Sequence, residues 1–185
     1  VAMGMADEPA AQRQRPWEFD LGSEGHLFIY GTAGSGKTTM LRTLACALAD
    51  GRSTAEVQIY AIDAASRALR SIEALPHCGA VVAVDEIERV EQLCTLIERA
   101  MTDRRERFSA VGAGSVAEFR GRTGESVPYI VLILDGWSSF RATFEDVDHG
   151  ALLDRFQQFV TDGRALGVHV VITSERRSGV PSALT

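Results

Sequence analysis

Hydrophobic and polar positions alternate along this chain in blocks that predict short buried strands separated by amphipathic helices. Five short runs are mostly apolar, as strands buried on both faces are: 27–30, 57–62, 80–84, 129–134 and 168–172. Between them lie segments whose apolar residues recur at helical spacing: 38–49, 66–75, 86–108 and 150–166, with a short helix near residue 119. This alternation predicts an α/β fold with a mostly parallel sheet covered by helices.

The ends of the chain and the start of the long helix depend on local signals. Residues 1–26 are polar and contain prolines, and we expect them to be a lead-in to a single domain that spans residues 1–185. No helix follows the last strand, so the domain is expected to be truncated at its C-terminal end. Asp85 stands three residues before Glu88, the spacing of a capping box, and is predicted to cap the helix over 86–108.

Composition excludes several classes of protein. With 185 residues, 45% of them hydrophobic, the chain is long and apolar enough to form a core and is not disordered. Its net charge of −6 weighs against a DNA-binding groove, and Arg104, Arg105 and Arg107 alternate with acids, which favours a solvated helix face over a nucleic-acid patch. Neither a membrane segment nor a secretory signal is expected, and the three scattered cysteines suit a cytoplasmic protein.

One sequence motif carries specific chemistry. Residues 31–38 match G-x-x-x-x-G-K-[ST] in full and stand between a predicted strand and a predicted helix, as this phosphate-binding loop requires. Its backbone N–H groups and the helix N-terminus cradle phosphate oxygens. Lys37, the only lysine among 19 basic residues, would reach the β and γ phosphates, and the Thr38 hydroxyl would ligate Mg²⁺. The predicted ligands are ATP and Mg²⁺, held by Gly31, Thr32, Ala33, Gly34, Ser35, Gly36, Lys37, Thr38 and Thr39.

A phosphate loop of this kind also needs a carboxylate at a strand end to hold Mg²⁺ through water. Two residues compete for this role, Asp85 after the run 80–84 and Asp135 after the run 129–134. Asp85 already has a local role as a helix cap, whereas no obvious helix begins at Gly136 or Trp137. Asp135 is therefore the preferred candidate, and Asp85 is the alternative.

The residue after Asp135 bears on whether bound ATP is hydrolysed. Many ATPases carry a glutamate there that polarises the attacking water, but this chain has Gly136. Glu175, after the last predicted strand, is a distant substitute and is more simply explained as a solvated loop carboxylate. The sequence therefore favours ATP binding with slow or absent turnover.

Several segments together resemble a known family. Residues 4–9 with Gln12, residues 75–77 before a helix that ends over 103–107, and residues 163–169 before the last strand follow one another as in the FtsK/SpoIIIE class of P-loop ATPases. The order of these segments is similar to that of the tandem ATPase modules of EccC, the motor of type VII secretion. The phosphate loop alone is generic, whereas this order covers nearly the whole chain and is more specific.

The resemblance implies a RecA-like fold, assembly with other ATPase modules of the same chain or ring, and WXG-motif helical hairpins as export substrates. It implies that Arg164 acts as a finger to a neighbouring module's nucleotide and that Arg176 lies in a sensor segment. The chain departs from the family at two positions. Gly136 stands where the active motor module carries an acidic residue, and Glu175 stands where the family commonly has glutamine. These departures favour a degenerate second or third module in which ATP is structural or regulatory. An active motor, completed by Glu175 or a neighbouring chain, and an FtsK-like DNA translocase remain alternatives.

Overall fold

The centre of the molecule is a five-stranded parallel sheet. The computed structural model describes residues 1–177 and 180, with the backbone alone described at 148 and 149. The strand order is β3 (Leu27–Tyr30), β7 (Val168–Ser174), β6 (Tyr129–Asp135), β4 (Val57–Asp63) and β5 (Cys78–Ala83). Each neighbouring pair is parallel, so all five strands end at the same edge. The predicted mostly parallel sheet is confirmed, and its architecture is that of a RecA-like P-loop NTPase.

Helices cover both faces of this sheet. The described helices are α1 (Lys37–Ala49), α2 (Ile87–Ala110), α3 (Val116–Thr123), α4 (Trp137–Phe144) and α5 (Ala151–Asp162). Side chains of α1 and of a 3-10 helix over Ala68–Ala74 pack against one face, and the other α-helices pack against the opposite face. In β6, Val131 and Ile133 face the α1 side, whereas Ile130, Leu132 and Leu134 face the other side. Burial on both faces explains why this strand is continuously apolar.

The N-terminal segment contains more structure than a lead-in. Residues 1–26 include an antiparallel hairpin of β1 (Ala2–Glu8) and β2 (Arg13–Glu18). Most of its side chains are exposed, and only a few apolar ones, among them Met3, pack against the α1 side of the core. The hydrophobic pattern missed the hairpin because an exposed two-stranded sheet needs few apolar residues. Part of the chain's C-terminal end, to which the expected truncation refers, lies outside the described residues.

Two predictions about helix starts were wrong. Asp85 does not cap α2; the preceding residue is Glu86, whose Oε2 accepts the N–H of Ala83 at 2.8 Å, and Asp85 forms an exposed ion pair with Arg67 at 2.6 Å. A helix does begin at Trp137, because Gly136 adopts a left-handed conformation that turns the chain directly from β6 into α4.

Two predicted helices also have different forms. The segment 66–75 contains a 3-10 helix, and α5 ends at Asp162, after which a separate 3-10 helix spans Arg164–Leu166. The break comes at Gly163, where a Cβ would lie 2.7 Å from the carbonyl oxygen of Val168. Glycine at this position therefore allows the end of α5 to pack closely against the start of β7.

The predicted arginine face of α2 is solvated only in part. Arg105 and Arg107 form ion pairs at the surface, but Arg104 is 4% exposed. Its guanidinium donates to the carbonyl oxygens of Leu166 at 2.7 Å and Pro128 at 2.6 Å. Burial lowers the pKa of Arg104 to about 10. Arg104 lies on the buried stripe of the helix, three residues after Met101, which overrides the local pattern of charges.

Candidate phosphate-binding site

The loop between β3 and α1 has the backbone shape of a phosphate cradle. Gly34 and Gly36 have φ values of +76° and +91°, which side-chain-bearing residues rarely adopt. A Cβ on Gly31 would overlap the Ser35 side chain, so the loop can close only around glycine. Helix α1 begins at Lys37, and its first N–H groups therefore lie at the end of this loop. Free N–H groups at a helix N-terminus favour bound anions.

Lys37 connects its side chain to the first two residues of the loop. Its ammonium group donates to the carbonyl oxygens of Gly31 at 2.7 Å and Thr32 at 2.9 Å. These two short contacts hold the charge at the mouth of the loop. A compact ammonium can keep them and still donate its third hydrogen to a phosphate oxygen, because lysine carries three N–H donors.

The strand-end carboxylate beside the loop is Asp135. It is 1% exposed, and its two oxygens accept the hydroxyls of Thr38 and Thr173, each at 2.5 Å. The Thr173 hydroxyl in turn accepts the N–H of Gly136 at 2.8 Å. The structure thus brings Thr38 and Asp135 together as predicted, whereas Asp85 is engaged with Arg67 at the surface.

This arrangement is compatible with Mg²⁺. Because the Thr38 hydroxyl donates its hydrogen bond to Asp135, its oxygen lone pairs are left for a cation. Each carboxylate oxygen of Asp135 accepts a threonine hydroxyl and has capacity for a second hydrogen bond, from a water bound to the cation. Oxygen ligands of this kind are the ones that Mg²⁺ prefers.

A cavity of about 570 Å³ opens in front of these residues. One wall is the phosphate loop and the start of α1, from Ala33 to Thr39. The opposite wall comes from the ends of other strands and the start of α4: Ala65, Ser66, Gly136, Ser138, Ser139, Ser174 and Glu175. Of the predicted nucleotide-binding residues, Gly31 and Thr32 accept hydrogen bonds from Lys37, and the others line the cavity.

The position where a catalytic glutamate is expected carries a glycine in the left-handed conformation. Gly136 has φ +94°, and a Cβ there would lie 3.2 Å from the carbonyl carbon and oxygen of Ala64. Glu175 is exposed and lines the cavity, so this carboxylate lies beside the candidate site and not far from it. A third carboxylate, Asp63, ends β4 in register with Asp135, but three backbone N–H groups occupy its oxygens.

Arg164 lies at the other end of the sheet. It precedes the amino end of β7, whereas the phosphate loop follows the carboxyl end of the parallel strand β3. Its guanidinium donates to the carbonyl oxygen of Ser23 at 2.6 Å. Arg164 therefore cannot contact phosphates bound by its own loop. Arg176 also lies outside the lining of the cavity, although Ser174 donates to its carbonyl oxygen at 3.0 Å.

Sequence reasoning missed Thr173 and Asp63. A hydroxyl or carboxylate at the end of an apolar run was the available signal, since Thr173 and Asp63 directly follow the runs 168–172 and 57–62.

Among residues 1–177 and 180, no helix has the length and apolar character needed to cross a membrane. Within the same residues, no cluster of three or more His, Cys, Asp or Glu side chains could hold a metal ion.

Comparison with known proteins agrees with this geometry. A model of the FtsK/SpoIIIE family matches residues 2–185. The chain is 32% identical over 189 residues to the ESX-4 secretion system protein EccC4 of Mycobacterium tuberculosis, covering all of this chain and 15% of that protein. It is 31% identical over 183 residues to the ESX-1 secretion system protein EccCb1 of Mycolicibacterium smegmatis, covering 94% of this chain and 30% of that protein.

Solved structures give the same relationship. ATPases 2 and 3 of Thermomonospora curvata EccC, in complex with a signal sequence peptide, match with a TM-score of 0.88 at 29% identity, covering 99% of this chain and 33% of that chain. ATPases 2 and 3 of Geobacillus thermodenitrificans EssC match with a TM-score of 0.86 at 26% identity, covering 99% of this chain and 34% of that chain. The chain thus spans about a third or less of these relatives. It belongs to the FtsK/SpoIIIE family and is homologous to the EccC ATPase modules of type VII secretion.

Proposed function

We propose that this chain is a Mg²⁺-ATP-binding module of an EccC-like type VII secretion motor, in which ATP is mainly structural or regulatory. The observation that carries the proposal is the contrast within one site. The groups that hold phosphate and Mg²⁺ are complete, whereas the position after Asp135, where a catalytic glutamate is expected, carries a glycine with positive φ. A site of this kind binds ATP firmly and leaves the attacking water without a base. The loss of a positioned base lowers the rate by a factor of about 10²–10⁴.

Bound ATP has a physical role even without turnover. The phosphates would contact both walls of the cavity, which come from α1, the end of β4, the start of α4 and the end of β7. A ligand that binds only the folded state adds about 2.7 kcal/mol of stability at one hundred times its Kd. It can also select the surface that docks a neighbouring module or an export substrate. We propose that the module acts in the cytoplasm, next to other ATPase modules of the same chain or ring.

The proposed partners follow from the relatives. The Thermomonospora EccC structure holds ATPases 2 and 3 in one chain with a signal sequence peptide. This supports a second or third module as the place of the present chain and a WXG-motif export substrate as its partner. Arg164, at the end of the sheet opposite to the phosphate loop, is suited to act as a finger to a neighbour's nucleotide. DNA is a less suitable partner because the net charge is −6.

The nucleotide carried by the purified protein tests this function. We expect ATP and Mg²⁺ to be recovered after denaturation, and isothermal titration to show Mg²⁺-dependent ATP binding with little turnover. Lys37→Ala should abolish binding and leave the unliganded fold intact, because Lys37 lines the cavity and its ammonium group donates to two loop carbonyls. Wild-type ATP affinity in Lys37→Ala would refute the site.

A second candidate, an active motor ATPase, is favoured by the position of Glu175 in the wall of the cavity. Steady-state turnover separates the two functions. If Glu175 were the base, wild-type protein would turn over ATP several times per second and Glu175→Gln would slow it by a factor of about 10² or more. Slow turnover that is unchanged in Glu175→Gln supports the regulatory module.

A further inference from the structure

A buried carboxylate shapes the wall of the cavity opposite to the phosphate loop. Asp63 is 4% exposed and ends β4 beside Asp135. Its Oδ1 accepts the N–H groups of Ala65 at 3.0 Å and Ser66 at 3.1 Å, and its Oδ2 accepts the N–H of Leu69 at 2.9 Å. A carboxylate that accepts several backbone N–H groups holds a turn in one conformation. Asp63 therefore fixes the backbone of the turn over 64–66.

This turn is also tied to the strand on each side. The N–H of Ala64 donates to the carbonyl oxygen of Asp135 at 2.8 Å, and the N–H of Val84 donates to that of Asp63 at 3.1 Å. The absence of a side chain at Gly136 favours this close approach, since a Cβ there would lie 3.2 Å from the carbonyl carbon and oxygen of Ala64. As a result, Ala65 and Ser66 form part of the cavity wall.

The chain of phosphates reaches this wall only if it is long enough. The loop and Lys37 would hold the β phosphate, and Thr38 would help to hold a Mg²⁺ ion that neutralises phosphate charge. Because Thr38, Asp135 and the turn line one cavity, a third phosphate would extend from Thr38 towards Asp135 and the turn. A diphosphate would fill the loop and end before the turn.

We propose that Asp63 is a positioning residue through which this site discriminates nucleoside triphosphates from diphosphates, by holding Ala65 and Ser66 where only a third phosphate reaches them. The proposal rests on the proposed ATP-binding function and adds to it the origin of selectivity for the third phosphate. Asp63 touches no phosphate itself; it acts through the backbone of the turn. The same turn explains why the module needs glycine after Asp135.

The test compares Mg²⁺-ATP and Mg²⁺-ADP affinities by isothermal titration. In Asp63→Asn, one oxygen becomes an N–H₂ donor that cannot accept a backbone N–H, so the turn loosens. We expect ATP affinity to fall about tenfold and ADP affinity to stay within about twofold. Asp20→Asn is the matched control, because Asp20 also holds a turn, through Gly22 and Ser23, at the amino end of the sheet. It should change neither affinity.

A second variant keeps Asp63 and changes the wall. Ala65 is exposed, so Ala65→Val should fold, and its larger side chain should weaken ATP binding while leaving ADP binding unchanged. Equal losses for both nucleotides in Asp63→Asn, or an unchanged ratio of affinities in both variants, would overturn the proposal. If wild-type protein binds neither nucleotide, the proposed function itself fails.

Discussion

The buried guanidinium of Arg104 should be one of the most important single side chains for stability. It connects α2 to the carbonyl oxygens of Pro128, just before β6, and Leu166, just before β7. Hydrogen bonds with a charged partner contribute about 1.5–3 kcal/mol each, and a buried carbonyl left without a donor is costly. With two such bonds partly offset by the cost of burying the charge, Arg104→Met should lower the free energy of unfolding by about 2–4 kcal/mol.

The neighbouring residue on α2 provides a matched control. Arg105 forms one ion pair with Asp162 at 3.2 Å, and both side chains are about half exposed. Exposed ion pairs of this kind contribute at most about 1 kcal/mol, so Arg105→Met should cost less than that. Arg104→Lys should lie between the two, because one ammonium cannot replace a fork that reaches two carbonyl groups.

Urea unfolding, followed by the fluorescence of the tryptophans, measures all three variants. Linear extrapolation gives the free energy of unfolding, and unchanged m-values would show that the same surface is exposed on unfolding. Equal losses in Arg104→Met and Arg105→Met would refute the reasoning, since one residue is buried with carbonyl partners and the other is not.

Three further predictions concern a glycine, a histidine and the proposed finger. Gly136→Ala should cost more stability than Gly51→Ala, because both glycines have positive φ but only at Gly136 would a Cβ contact backbone. Gly136→Glu should for the same reason distort the loop and fail to raise hydrolysis. Equal melting temperatures for the two alanine variants would contradict this reasoning. Burial lowers the pKa of His26 from 6.5 to about 4, so the unfolded chain takes up the proton first, and stability should be lost as pH falls from 6.5 through 4. Solvent screening at this half-buried ring limits the loss of unfolding free energy to about 1–2 kcal/mol. In urea unfolding, His26→Gln should make the free energy of unfolding less dependent on pH in this range, and an unchanged pH dependence would show that His26 is not the group responsible. Arg164→Ala should leave ATP binding by this chain intact and reduce hydrolysis only at a neighbouring site of the assembled protein, whereas weaker binding in the chain alone would show a role within its own module.

The strands and the phosphate loop could be predicted because their signals are local. A strand buried on both faces, such as β6, must be apolar throughout, and a loop that wraps phosphate needs glycines at fixed spacing. Asp135 was correctly placed at the strand end, although one reason given for preferring it, that no helix begins at Trp137, was wrong. Asp85 failed as a cap because α2 begins one residue later than expected, directly after Glu86.

The missed features depend on contacts between distant parts of the chain. Thr173 contributes to the site only because β7 lies beside β6, a pairing that no short window of sequence contains. Arg104 looks like a surface residue in its own segment and becomes buried because the segments before β6 and β7 cover it. The hairpin of β1 and β2 escaped detection for the opposite reason, since it buries too little to leave a hydrophobic pattern.

The placement of Arg164 and the phosphate loop at opposite ends of a parallel sheet gives the module a direction. An end-to-end pair related by a two-fold axis brings the same end of both copies together, so it would set loop against loop or arginine against arginine. End-to-end contact between an arginine end and a phosphate end requires a heterologous, head-to-tail arrangement, in which every copy or neighbouring module points the same way. Such a series either closes into a ring or leaves one unused phosphate end and one unused arginine end. In an open series the terminal modules are chemically unequal, and a signal received at one end has only one direction in which to travel.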